Sequence, residues 1–541
     1  MKKVNKIFLN IVMFFLLPLN IVSCGNEKQS QNSQDNENLS TFSYIEYDNI
    51  AKVNNIDSYA GDVKKDGKNN DDPVDNGIVK CVYYDLSING INIPVYSTRC
   101  AESVHSFAWI DVDDDENIKL NVTLNLKNKH KNVVVLPQKH NIEAKMEGNK
   151  VTATIDKLGS FSFAFDKKVS EALTIYVAKK EEFVKPNEYT VQQFDSGKYD
   201  LSGTTFKDEN VAYYFKKGNY EIASINLPNN SMLYFESGSY VKVFKDGDSD
   251  RNAAIRSSGT NNIDISGRAI FDFSSSQGGN GKNKGVFNFN NVSNIRYSGI
   301  ITINSNSWSV CFTNSDNVLV ENNMILGYRT FSDGIMLSDC QDSLVRNNFV
   351  RTGDDAIEVK STGSEGTKNV IYEYNDVWTD KARAYGCIYE SNKDVDNVIF
   401  RHNTVGFALA TWTEGLGCLV ICMGTRRQTT WENIHFEDIE IFMAYHALIN
   451  IDLTDDLDNG TDGGTSRNLY FKDIYANRAY SYAFRLCVER GSTAGKVYLD
   501  NINYNGQRLE SNTFLKSEAV KIIHYNSNYA NNNIKVNTLS N

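Results

Sequence analysis

From about Lys185 onward, the 541-residue chain repeats one short signature: an Asn or other polar residue, a branched apolar residue, then alternation of polar and apolar. It stands at Asn262-Ile263, Asn294-Ile295, Asn317-Val318, Ser343-Leu344, Asn369-Val370, Asn397-Val398, Asn433-Ile434, Asn468-Leu469 and Lys496-Val497. The steps between these sites are 32, 23, 26, 26, 28, 36, 35 and 28 residues. Irregular steps above a floor in the low twenties suit one solenoid coil plus loops of variable length. Each coil in such a stack buries its inward side chains only against its neighbours. Arrays of helical repeats would show helical periodicity, which this stretch lacks. A propeller blade takes about forty residues per repeat, and most of these steps are shorter. The segment therefore predicts a parallel β-helix.

Upstream, from about Thr41 to Val184, short alternating strands are broken by turns with no fixed period. A hairpin is expected around Asn89-Gly90. Further strands are expected at Val133 to Leu136, Val151 to Ile155, Phe161 to Phe165 and Leu173 to Val177, giving a β-sandwich of antiparallel strands. The fold class is thus all-β, with an N-terminal β-sandwich followed by a parallel β-helix. The N-terminus reads as an export signal: Lys2, Lys3 and Lys6 precede an apolar run from Ile7 to Leu19 that is short for a membrane span. It runs into Ile21-Val22-Ser23-Cys24, which resembles a bacterial lipobox and would make Cys24 the lipidated first residue. Gly25 to Ser40 is polar and reads as a tether. The expected organisation is a signal at 1–24, a tether at 25–45, the sandwich at 46–184, the β-helix at 185–525 and a tail at 526–541. The expected location is the bacterial cell envelope, with a lipid anchor in the outer membrane or at the cell surface.

A net charge of −11 and a pI near 5.3 argue against a non-specific nucleic-acid partner. Among nine cysteines, Cys81 and Cys100 are positioned to bridge, and export permits it. Cys311, Cys340, Cys387, Cys418, Cys422 and Cys487 sit in strand-like contexts and read as buried small hydrophobes. Cys418 and Cys422 lack a second close pair or a nearby His, so no metal site is expected there. Asp455, Asp456, Asp458 and Asp462 lack the spacing and closing Glu of a calcium loop. His402, His435 and His446 are scattered and read as structural. No cofactor is expected, and a monomer is.

Two consecutive coils carry acids. Ser332-Asp333-Gly334-Ile335 is followed by Thr352-Gly353-Asp354-Asp355-Ala356-Ile357, and the step from Asp333 to Asp354 is 354 − 333 = 21 residues, close to one coil. Stacked coils stand about 4.8 Å apart, so acids one circuit apart become neighbours. Like charges brought together push their proton affinities apart, and a split pair of carboxylates is what glycoside hydrolysis needs: one protonated acid and one ionised base. Adjacent strand residues point to opposite faces, so Asp354 and Asp355 share a site only if the backbone bends, which Gly353 would allow.

These two segments, with Glu358-Val359-Lys360-Ser361 continuing the second, resemble the core motifs of polygalacturonase-type glycoside hydrolases, family 28. The layout, a sandwich ahead of the solenoid and Cys387-Ile388-Tyr389-Glu390-Ser391 leading into Val395 to His402, is more similar to the related dextranase and isopullulanase family 49. The resemblance implies a right-handed parallel β-helix and an inverting mechanism. It implies Asp354 as general acid, with Asp333 and Asp355 holding and deprotonating the water. Polygalacturonases carry a Gly-His-Gly segment after the acids, and Ala384-Tyr385-Gly386 stands in its place. Their Arg-Ile-Lys segment, which binds the substrate carboxylate, has as its counterpart the uncharged Gly417 to Cys422. A bidentate Arg is the natural partner of a uronate, so its loss leans toward a neutral, dextran-like α-glucan. Lys381, Arg383, Arg426 or Arg427 would supply the charge if the substrate were pectin. Tyr385 and Trp412 are expected to face the sugar, with Trp308, Tyr328 and Trp378 left open. Arg329 and Arg351 either tune the acids or lie exposed. The alternatives to an α-glucan hydrolase are a polygalacturonase and a non-catalytic glycan-binding lipoprotein.

Overall fold

The structure, a computed structural model, describes residues 39–56, 59, 77–100, 103–199, 206–243, 254–276, 286–409, 417–422, 429–453, 464–489, 491–510, 512–524 and 529–537. Cys24, Trp412, Arg426, Arg427 and the Asp455 to Asp462 stretch lie outside them. Among the described residues no helix is long and apolar enough to cross a membrane.

The N-terminal unit is a sandwich of a seven-stranded and a five-stranded sheet. The expected hairpin is present, with Ile88 opposite Ile91 across Asn89-Gly90. One pairing departs from the all-antiparallel expectation: Leu173–Lys179 runs parallel to Ser103–Val112. The strand Phe42–Tyr44 also pairs with Ser103–Val112, so the unit begins a few residues before 46. Cys81 and Cys100 are free thiols rather than a bridge; the Cys81 sulfur lies 3.5 Å from the Ser106 hydroxyl.

The remainder is a right-handed parallel β-helix. One face is an 11-stranded sheet that includes Val310–Thr313, Ile335–Ser338, Ile357–Ser361 and Tyr385–Ser391. The other two faces join into a 22-stranded sheet whose last strand, Ile534–Asn537, lies beyond the expected end of the solenoid. A single apolar core runs its length, with aromatic rings stacked coil upon coil, as in Tyr372, Phe400, Phe436 and Phe471. Cys340, Cys387 and Cys418 belong to this core, as expected.

The recurring Asn marks a corner. Asn262, Asn294, Asn317, Asn369, Asn397, Asn433 and Asn468 all adopt φ between 50° and 56°, a left-handed conformation that Asn tolerates best among residues with a Cβ. Their amides chain along the stack, for example Asn294 to Asn262 at 3.1 Å and Asn317 to Asn294 at 2.5 Å. One step differs from the sequence reading: the corner residue of its coil is Asp342, not Ser343, because Ser343 pairs with Val370 and Asp342 accepts from Asn369. A second asparagine ladder is fully buried: Asn323, Asn348, Asn375 and Asn403 are at most 1% exposed. Each of the first three donates its backbone N–H and side-chain amide to the next carbonyl at 2.9–3.1 Å. Orphaning one such donor would cost about 1–3 kcal/mol, so the ladder fixes the coil register.

The sandwich lies against the 22-stranded sheet. Trp109 and Tyr176 share an apolar layer with Ile303, Leu326, Phe349, Trp378 and Phe407. Arg351, wholly buried, grips Asp380 with two bonds of 3.1 Å and donates to His105 of the sandwich at 3.0 Å. Burial and Arg351 push the His105 pKa well down, so the imidazole is neutral and accepts that bond. Arg268 likewise donates to Asp111 at 2.9 Å. The sandwich therefore packs beside the edge at which each coil turns into the 11-stranded sheet.

Candidate active site

That edge carries the acids. Asp333, Asp355 and Arg383 each stand two residues before a strand of the 11-stranded sheet, at Ile335, Ile357 and Tyr385. The strands pair Ile335 with Ile357 and Ile357 with Tyr385. Ladder bonds extend that register to the acids, Gly334 N–H to Asp355 O and Ala356 N–H to Arg383 O, both 2.9 Å. Asp333, Asp355 and Arg383 thus stack in one column, with Trp308 one coil below, where Ser309 N–H donates to Asp333 O at 2.8 Å.

Two glycines make the stacking possible, and the reason is close approach. A Cβ on Gly353 would stand 2.7 Å from the Tyr328 carbonyl, and one on Gly334 would stand 2.1 Å from Ala356 O. Neither has a positive φ, so the expected bend at Gly353 is not a left-handed turn. Asp354 is turned by its own contact: its Oδ1 accepts the Asp355 N–H at 2.9 Å. Arg329, fully buried, donates to the carbonyls of Phe273, Ser274 and Ser276 and braces the adjacent turn. Arg329 and Arg351 are thus buried and structural rather than exposed.

Asp333, Asp354 and Asp355 are 4–6% exposed. Carboxylate oxygens of Asp333, Asp355 and Glu358 lie within 4.8 Å of one another. Two hydrogen bonds of about 2.8 Å each reach across a gap of that size, so a single water is within reach of both Asp333 and Asp355. Arg383 gives Asp355 its countercharge, with Nη1 at 3.0 and 3.2 Å from the two carboxylate oxygens and the backbone N–H at 3.0 Å from Oδ1. Burial raises the Asp354 pKa to about 7, with Asp355 adding to it. Burial, Asp354 and Glu358 raise Asp333 well above the usual carboxylate range. Glu358 is wholly buried, and neither oxygen has a hydrogen-bond partner among the described residues. Burial raises its pKa strongly, and Lys360 at 3.4 Å opposes that rise. Lys360 also holds Glu390 at 2.7 Å and stands 4.7 Å over the Trp308 ring. The three carboxylates are the donor set that would hold a cation, and the Lys360 ammonium already meets one of them.

The sequence missed Glu358 and Lys360 as site residues. Their signal was the alternation in Ile357-Glu358-Val359-Lys360, two charged residues on one face of a strand whose other face is core. Tyr385 was misplaced. It is fully buried in the solenoid core, its hydroxyl donating to Asn375 O and Thr404 O at 2.9 Å, so it touches no sugar. The side chain that the third coil delivers to the acids is Arg383, two residues earlier, which is spent on Asp355 rather than solvated. Lys381 is half-buried in the same turn. Trp378 is buried against the sandwich, and Tyr328 is 2% exposed.

The sequence profile of glycosyl hydrolases family 28 matches residues 237–522, more than half of the chain and all of the acidic coils. The chain belongs to that family. It is accordingly a glycoside hydrolase with a polysaccharide substrate. No curated protein sequence matches this family 28 member. Among solved structures it is similar to an exopolygalacturonase from Thermotoga maritima, at 17% identity over 55% of this chain and 85% of that one, with a TM-score of 0.46. It is also similar to a polygalacturonase from Erwinia carotovora ssp. carotovora, at 16% identity over 67% and 99%, with a TM-score of 0.46. A GH87 α-1,3-glucanase from Streptomyces thermodiastaticus matches at 12% identity over 87% of each chain, with a TM-score of 0.42.

Proposed function

We propose that this enzyme hydrolyses a neutral polysaccharide, an α-glucan, with inversion at the anomeric carbon. Asp354 donates its proton to the leaving glycosidic oxygen. Asp333 and Asp355 hold one water between them, and Asp355, charge-balanced by Arg383, removes its proton. Trp308, partly exposed at the foot of the column, offers a ring face to the sugar. The observation that carries the neutral substrate is the state of the cations: Arg383 is engaged by Asp355, and Lys360 by Glu358 and Glu390. A uronate would need a guanidinium or ammonium to spare. Lys381, half-buried two residues before Arg383, favours the second reading, a pectin hydrolase that clamps the carboxylate with that lysine.

Reducing-sugar release across dextran, pullulan, α-1,3-glucan and polygalacturonate decides between them. Cleavage of a neutral glucan is expected. Cleavage of polygalacturonate alone, lost in Lys381→Ala, would establish the second reading. Proton NMR of the first-formed anomer tests inversion. The segment ending in Cys24 supports attachment to the bacterial envelope by lipid; Cys24→Ser is expected to move the protein from the membrane to the soluble fraction, and retention in the membrane would overturn the anchor.

A further inference from the structure

The column that holds the acids continues past them. The pairings of Tyr385 with Leu419, Leu419 with Ile449 and Ile449 with Phe484 carry its register through Gly417 and Ala447 to Tyr482. The bond from Leu448 N–H to Tyr482 O, 3.0 Å, confirms the last step. Tyr482 therefore stands four coils above Asp355 on the same edge, about 19 Å away at the spacing of stacked strands. Between Arg383 and Tyr482 the column holds Gly417 and Ala447, two small buried residues.

At that far end is an aromatic trough. Tyr445 and Tyr480 are 46% and 58% exposed, and their rings stack at 4.8 Å with 22° between planes. With Tyr482, Tyr504, Glu518 and Lys521 they line an open space of about 530 Å³. The Lys521 ammonium lies 5.5 Å from the Tyr482 ring centre. Single exposed apolar residues are ordinary, but four tyrosines gathered in one trough are not. Rings of this kind, with hydroxyls at their tips and a carboxylate and an ammonium at the rim, match the two surfaces of a hexose: C–H faces that stack and hydroxyls that hydrogen-bond.

We propose that this trough is a distal subsite that binds a remote stretch of the same polysaccharide chain whose glycosidic bond lies at Asp354. The inference rests on the hydrolase reading for its occupant. Continuity along one edge argues for the polymer: the trough and the acids belong to one column of stacked coils, so a chain bound at Asp354 and laid along the coil axis runs toward Tyr445 and Tyr480. Binding energy from that remote contact holds a long substrate and not a short one.

The test compares wild type with Tyr445→Ala, Tyr480→Ala and Tyr480→Trp. Affinity electrophoresis runs through gels cast with dextran, pullulan, α-1,3-glucan or polygalacturonate, and kinetics compare the cleaved polymer with a trisaccharide of the same linkage, too short to reach the trough. Each alanine variant is expected to weaken retardation about tenfold, and to lower the ratio of polymer to trisaccharide kcat/KM by a similar factor. Tyr480→Trp is expected to restore both. Unchanged retardation and an unchanged ratio in both alanine variants would overturn the subsite, as would a wild type that no polymer retards and a trough that instead captures a protein. A wild type that is retarded but cleaves nothing would refute the hydrolase reading while leaving the subsite standing. Both side chains lie at the surface, and a melting curve identifies any misfolded variant; Tyr480→Ala, at the more exposed ring, then decides.

Discussion

Asp354→Asn is expected to reduce kcat by about a thousandfold, within the range a positioned acid supplies. Asn fills the same space and still accepts the Asp355 N–H, so the fold is kept and only the transferable proton is lost. The pH profile adds a second, more specific readout. Asp354 must carry a proton to act, and its pKa is raised to about 7. Wild-type kcat/KM is therefore expected to fall as pH rises through about 7, and the variant should lack that limb. Stability depends on pH with the same sign as activity. A carboxyl whose folded pKa exceeds its ordinary value of 3.8 holds a proton that the unfolded chain releases. Its contribution is complete below 3.8 and is lost as pH rises toward 7. Asp354→Asn should thus melt higher than wild type at neutral pH while being nearly inactive. A variant with wild-type turnover, measured by reducing ends on the cleaved polymer between pH 4 and 9, would remove Asp354 from the mechanism.

The elements that were legible in the sequence share a physical cause. Asn262, Asn294 and Asn317 announce the solenoid because a left-handed corner recurs at one place per coil and few residues tolerate it. Asp333 and the Asp354-Asp355 pair were legible because the coil between them carries almost no loop, so their spacing is close to the shortest circuit. Function that depends on register, rather than on spacing, was not. Tyr385 and Arg383 are two residues apart in one segment, yet one is core and the other grips Asp355. The inner ladder from Asn323 to Asn403 has steps of 25, 27 and 28 residues, but its members are isolated asparagines among apolar strands. The clamp of Arg351 on His105 joins residues 246 positions apart, a contact that no local pattern encodes. Glu358 and Lys360 were visible as alternating charges, but only burial shows that they bear on Asp333.

Arg383→Ala separates two roles for the side chain that the third coil delivers. If Arg383 met the substrate, its loss would raise KM and leave the melting temperature nearly unaltered. The structure gives it the other role. Its guanidinium, 8% exposed, lies 3.0 Å from Asp355, which stands beside Asp354 and close to Asp333 and Glu358. Removing the cation that Arg383 sets against Asp355 leaves a buried charge among other acids, a loss expected to cost about 3–5 kcal/mol at neutral pH. The same loss frees the carboxylate that Arg383 holds in place, and kcat should fall with stability. Arg383→Lys keeps the charge but not the fork, and should recover part of the stability. The double variant Arg383→Ala with Asp355→Asn has no charge left to strand; it should melt higher than Arg383→Ala alone, with a coupling of more than about 1 kcal/mol in the cycle. Additive effects in denaturant unfolding would show that the pair does not act as a unit, and the assignment of Asp355 as the charge-balanced base would fall with it.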